Sequence, residues 1–209
     1  MADIQLYNLI TLFNEQINDE GENVTIKKIE IPIIQRDYAQ GRKIPAVKRI
    51  RERFIKSLKD AIMPDGKGIT LDFVYGYRNE HGTLIPLDGQ QRLTTLFLLH
   101  WYIARHEGIE EEALAFLKNF SYATRASARE FCQNLVNYIP QFNEYPCEGE
   151  IYTLSEEIID QEWMPIDWMN DPTIASMLEM LDCLHEHFEK TKDLWQQLVS
   201  GRISFYFLP

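Results

Sequence analysis

Asp88, Gly89, Gln90, Gln91 and Arg92 place a carboxylate, a bare backbone position, two amides and a guanidinium side by side, between the strand-like stretch LIPL and the helix-like stretch LTTLFLLHWYIA. If Gly89 opens a helix, the first-turn N–H groups lack intrahelical partners and an anion can approach them closely. Gln90, Gln91 and Arg92 add side-chain donors in the same turn, and the planar fork of arginine matches phosphate oxygens. Asp88, just before the helix, is placed to hold a divalent cation such as Mg²⁺ or to orient water. A second group, Gln35, Arg36, Asp37 and Tyr38, leaves the end of an apolar run; Arg36 offers another anion contact and Tyr38 a stacking or hydrogen-bonding surface. Spacing alone leaves the ligand open among nucleotide phosphates, a nucleic-acid backbone and a carboxylate. It equally allows Asp88 to be a plain N-cap, with Gln90, Gln91 and Arg92 solvated. The signatures GxGxxG, GxxxxGK[ST] and GxSxG are absent.

These residues need elements to position them. ITLDFVYGY and TLIPLD flank RNEHG, whose Asn79 and Gly82 are turn formers, which predicts an antiparallel hairpin from Ile69 to Asp88. The segment Gln90 to His106 is apolar nearly all round and predicts a buried helix. Ile29, Ile31 and Ile33 alternate with Lys28, Glu30 and Pro32, the pattern of a half-buried strand, which the proline assigns to a sheet edge. Between the two polar groups, Ala46 to Ile62 predicts an amphipathic helix with Val47, Ile50, Phe54, Leu58 and Ala61 on one face and Arg49, Arg53 and Lys56 on another; Pro45 suits its first turn. Upstream, Ile4 to Gln16 has helical spacing. Beyond Gly108 the chain turns helical: SARE at Ser127 to Glu130 has the form of a capping box, and Asp171-Pro172 that of a cap and first-turn proline. Gln141 to Asp171 is a looser connection with one short helix. The final RISFYFLP alternates like a strand in need of a partner, from which we expect a longer protein.

The chain has 209 residues, enough for one large domain or two small ones, and a net charge of −11 that disfavours non-specific nucleic-acid binding by the molecule as a whole. The charge is uneven: Arg36 to Lys59 holds nine Lys or Arg residues against two acids. Cys132, Cys147 and Cys183 form no CxxC pair, which argues against a disulfide framework and a zinc site. His185 and His187 are two apart and face different sides of a helix, whereas His100 and His106 fit a core helix. Trp163, Trp168 and Trp195 fit core anchors better than base-stacking platforms. With neither a signal peptide nor a membrane span in the sequence, a cytoplasmic protein is expected.

IPIIQRDYAQGR followed by IPLDGQQRLTTLFLLHWYIA resembles the N-terminal domain shared by GmrSD-type modification-dependent restriction enzymes and the related SspE phage-defence proteins. The likeness covers Val24 to Arg105 well, and YATRASAREFC and DPTIASMLEMLD resemble the helical part of large bacterial members. It implies an α+β fold: a ParB/sulfiredoxin-like core with a small mixed sheet over residues 1–108, followed by a mostly α-helical region over 109–209. It also implies nucleotide binding and hydrolysis at the DGQQR segment, with Asp88, Gln90, Gln91 and Arg92 as catalytic residues and Asp88 on Mg²⁺. Gln35, Arg36, Tyr38, Gly89 and Thr94 would contact the NTP. In such systems the NTPase module couples to a separate HNH-type nuclease that cuts DNA, so DNA would be met through the full-length protein. Asp37 and Ala39-Gln40 depart from the residues many members carry there. The alternative is a non-hydrolysing DNA-binding module using the same pocket and the basic helix 46–62. A third reading is a scaffold whose helical half docks a nuclease.

Overall fold

A computed structural model describes residues 5–19, 22–32, 37–123, 126–142 and 153–208. Asn8 divides the first segment. Before it, Gln5–Tyr7 (β1) is a strand; after it, Leu9–Asn14 (α1) is a helix whose cap is reciprocal, the Asn8 side chain accepting from Thr11 N–H at 2.8 Å and the Thr11 hydroxyl accepting from Asn8 N–H at 2.9 Å. The helix expected from Ile4 therefore starts later, because Asn8 commits its side chain to a helix start and leaves Leu6 and Tyr7 to pair with the C-terminal strand.

Ile17–Asp19 (β2) and Glu22–Val24 (β3) form a small separate hairpin, and Lys28–Ile31 (β4) enters the main sheet. Pro45–Ile62 (α2) follows, then the antiparallel pair Ile69–Arg78 (β5) and Thr83–Asp88 (β6), the expected hairpin. Gln90–His106 (α3) is the expected buried helix. Phe120–Tyr122 (β7), Ala126–Asn137 (α4), Leu154–Ile159 (α5), Pro172–Phe188 (α6) and Ile203–Leu208 (β8) follow, with a nine-residue 3-10 segment, Glu111–Asn119, and shorter helical pieces between these elements. The fold is mixed α+β, with the six strands ordered β1-β8-β5-β6-β4-β7.

That order corrects two expectations. β4 is not an edge strand: it pairs parallel with β6 on one side and β7 on the other, and Pro32 follows its end, so no ladder bond is lost. β8 is not short of a partner either. It lies between β1 and β5, so the sheet takes strands from both sides of residue 108.

One face of the sheet is dry: Ile29, Ile31, Val74, Leu84, Phe120, Phe205 and Phe207 are buried, and Phe97 of α3 stacks on Phe120 at 4.7 Å. The other face leaves Leu6, Phe73, Tyr75 and Tyr77 exposed, with Phe73 stacked on Tyr206. α3 and α6 pack together as the centre of the helical layer. His100 is fully enclosed there, between Phe116 and Trp195, and burial pushes its pKa down to about 4.

α2 is rotated from its expected orientation. Arg51, Ile55, Leu58, Ala61 and Ile62 are buried, whereas Ile50 is 63% exposed. Arg51 can be enclosed because its guanidinium meets Glu179 of α6 at 2.9 Å and the Gln40 carbonyl at 3.3 Å, which satisfies a charge that burial would otherwise penalise. Arg49, Arg53 and Lys56 are exposed, as expected of a polar face. The SARE box also differs. Ser127 lies inside α4, and its hydroxyl bonds the Asp171 carboxylate at 2.6 Å rather than capping its own helix. Asp171 does cap α6, accepting from Thr173 N–H at 2.8 Å.

Candidate functional site

The five-residue polar cluster sits where β6 ends and α3 begins. Gly89, not Asp88, is the N-cap. Its φ of 91° lies in the left-handed region, and a Cβ there would stand 2.7 Å from Val74 Cγ2 and 3.0 Å from Val74 Cα. The glycine is thus required by the turn and by the packing of β5. No side chain caps α3, so its first turn offers donors that its own sequence does not use.

On one side of this turn, Gln91 and Thr95 are bonded to the segment 37–40. The Gln91 amide donates to the Asp37 carbonyl at 3.0 Å and accepts from Ala39 N–H at 2.9 Å, completing what a strand partner would supply. Thr95 shares a 2.8 Å hydrogen bond with the Tyr38 hydroxyl and bonds the Gln40 side chain at 2.6 Å. One residue earlier, Thr94 joins the Tyr122 hydroxyl at the end of β7 at 2.9 Å. Both threonine hydroxyls also donate back to the carbonyls of Gln90 and Gln91. Burial holds the Tyr38 and Tyr122 phenols above their ordinary range, so both remain neutral hydrogen-bonding groups. Close packing enforces the arrangement at Gly41, where a Cβ would fall 1.8 Å from the Ser176 carbonyl oxygen of α6.

The other side opens into a cleft of about 550 Å³, lined by Ala39 and Gln40, by Val47, Ile50 and Arg51 of α2, and by Asp88, Gln90 and Gln91. Gln90 is 8% exposed, and its amide oxygen Oε1 has no hydrogen-bond partner among the described residues. A buried, unpaired amide oxygen costs about 1–3 kcal/mol, so it calls for an explanation. Asp88 is half exposed and pairs with Arg92 at 3.2 Å, while the Arg92 guanidinium also bonds the Phe73 carbonyl of β5. Asp88 and Gln90 both line the cleft, and the half-exposed Asp88 carboxylate is the hard oxygen donor type that Mg²⁺ takes.

The expected site residues therefore divide. Asp88, Gln90 and Gln91 line the cleft, and Arg92 is tied to Asp88. Gly89, Tyr38 and Thr94 are buried behind the wall and shape it. Gln35 and Arg36 lie outside the described residues. Sequence reasoning missed four contributors. Gln40 and Arg51 form part of the wall, and the signal for Arg51 was a charge in an otherwise apolar helical phase, at the position before Ile55 and Leu58 on the same face. Val47 and Ile50 were assigned to the core, but they are the apolar part of the cleft.

A glycine-started helix following a strand end, with a carboxylate, an amide and a guanidinium around its first turn and a second polar segment pinned beside it, defines an α+β domain with a polar cleft at that helix start. The family model described as the GmrSD restriction endonuclease N-terminal domain matches residues 9–201, and the chain belongs to that family. This makes it a component of a restriction, and so a defence, system. None of the curated proteins matches the chain. Among the described residues, no helix is long and apolar enough to cross a membrane.

Proposed function

We propose that the cleft at the start of α3 binds a nucleoside triphosphate with Mg²⁺, and that the chain hydrolyses it as the regulatory module of a restriction system whose cutting is done by an HNH-type nuclease on another domain or subunit. The observation that carries this reading is a cleft lined by Asp88 and Gln90 beside the uncapped first turn of α3, with the buried Gln90 amide oxygen lacking a hydrogen-bond partner among the described residues. Asp88 is the carboxylate that would hold the metal ion, and Arg92 the cation that would meet a phosphate oxygen. In the free protein each neutralises the other across 3.2 Å, so the pair is prepared to exchange partners. Gln90 would orient the attacking water or the metal's water shell. Gln91, both ends of whose amide are bonded to the 37–39 backbone, would position that segment. Gln35 and Arg36, assigned to the nucleotide by the family resemblance, come directly before it. Val47 and Ile50 give the cleft an apolar surface suited to a base or ribose. Bound Mg²⁺ would neutralise phosphate charge; the protein's part is positioning and charge stabilisation.

The test is phosphate release from ATP, GTP, CTP and UTP with Mg²⁺, comparing the wild type with Asp88→Asn, a variant that keeps the shape of the side chain. Turnover should fall by about 100-fold or more with the melting temperature unchanged. Equal turnover in the two proteins would remove Asp88 from the site.

A non-hydrolysing DNA-binding module is the second reading. It is favoured by the exposed Lys48, Arg49 and Arg53 on the helix that also walls the cleft. Affinity built on several phosphate contacts should fall steeply between low and physiological salt, whereas nucleotide binding in a pocket should change far less.

A further inference from the structure

A second group of chemistry-bearing side chains lies across the interface of α2 and α6, independent of the nucleotide reading. Cys183 and His187 are one turn apart on α6 and share a face, and Glu52 of α2 meets them. Cys183 Sγ is 3.8 Å from His187 Nδ1, His187 Nε2 is 3.4 Å from Glu52 Oε2, and one donor atom of each residue lies within 4.8 Å of those of the other two. Ligand atoms around a tetrahedral zinc ion, bonded at about 2.0–2.3 Å, stand apart by a similar amount. Small rotamer adjustments would therefore close the three around an ion.

We propose that Glu52, Cys183 and His187 form a binding site for a thiophilic divalent metal, Zn²⁺ above all, with water as the fourth ligand. The donor set of sulfur, imidazole nitrogen and carboxylate oxygen selects zinc over magnesium or calcium. The imidazole is already oriented: His187 Nδ1 lies 2.9 Å from the Cys183 carbonyl oxygen and Nε2 faces Glu52, so in the Nδ1–H tautomer the first nitrogen would donate to the carbonyl and the second would be free to take the ion. Lys59 bonds the His187 carbonyl at 2.5 Å, and Arg51, paired with Glu179, also lies against the Cys183 thiol, where its charge favours the thiolate that a metal takes. Binding releases the Cys183 thiol proton to solvent and forms Zn–S, Zn–N and Zn–O bonds with no change of oxidation state. Because Arg51, Ile50 and Val47 of the same helix wall the cleft, the ion would fasten that wall to α6.

Metal-free protein titrated with Co²⁺ should develop a thiolate-to-cobalt charge-transfer band saturating at one equivalent, and Zn²⁺ should displace it and raise the melting temperature. Cys183→Ser should abolish the band; Glu52→Gln and His187→Gln should each weaken Zn²⁺ binding at least about tenfold. Cys132→Ser and Cys147→Ser should leave band and affinity unchanged. The proposal is overturned if folded wild type shows no stoichiometric binding, if Cys183→Ser keeps the band, or if the band follows Cys132 or Cys147. The contact between Glu52 and His187 would then be the whole of the cluster.

Discussion

α3 and α6 are each 17 residues long and pack against one another, yet they begin in opposite ways. α6 follows a common rule for helix starts: Asp171 caps it, Pro172 occupies the first turn, and Ser127 of α4 reinforces the cap. The Thr173 N–H is thus served from within the fold. α3 starts from a left-handed glycine with no side-chain cap, although Asp88 stands one residue away and would be a good cap in the ordinary conformation. Gly89 turns the chain so that Asp88 reaches Arg92 and the cleft instead. One helix start is closed by its own cap and the other is left uncapped beside a cleft, the kind of break in a local rule that functional sites tend to show.

The sharpest way to break the contrast is Gly89→Ala. The methyl group must occupy a left-handed backbone position and collide with Val74, so the variant should lose about 2–4 kcal/mol by denaturant unfolding. A loss below about 0.5 kcal/mol would mean that the turn can adopt another conformation, and Asp88 could then serve as an ordinary cap. Next in size is Asp171→Ala. It removes the bond to Thr173 N–H and the acceptor of Ser127, and should cost about 1–2 kcal/mol without altering nucleotide binding. A change in ligand affinity in that variant would show that the two helix starts are coupled, and the division drawn between them would fail.

Much of this was legible in the sequence where a local rule decides. The hairpin of β5 and β6 followed from Asn79 and Gly82, the start of α3 from the change of pattern at Gly89, and the cap of α6 from Asp171-Pro172. What was not legible depended on distant partners. Arg51 reads as surface until Glu179, far along the chain, is seen beside it; its burial turns Ile50 outward and gives the cleft its apolar wall. β8 looked unpartnered because β1 and β5 come from the other end of the chain. The Glu52, Cys183 and His187 cluster was hidden for a related reason: it contains no like pair of cysteines or histidines, only a mixed Cys-x-x-x-His turn facing another helix. At the site itself the residue types were readable, but not which of two adjacent glutamines was free.

Those glutamines give the finest test of the comparison. Gln91 makes both its hydrogen bonds to the backbone of residues 37–39, so Gln91→Ala should cost about 1–2 kcal/mol and loosen that segment, read as faster amide exchange at Ala39. Gln90 carries an unpaired buried oxygen, and Gln90→Leu replaces it with an apolar group of similar size. Its stability should therefore stay within about 0.5 kcal/mol of wild type or rise slightly, because no bond is lost and a desolvation cost is removed. Nucleotide affinity or turnover should nevertheless drop at least about tenfold, the cost of one missing polar contact in an enclosed site. If Gln90→Leu instead destabilises the protein as much as Gln91→Ala, the oxygen has a partner in the folded state, and the open side of the α3 start is as structural as the closed one.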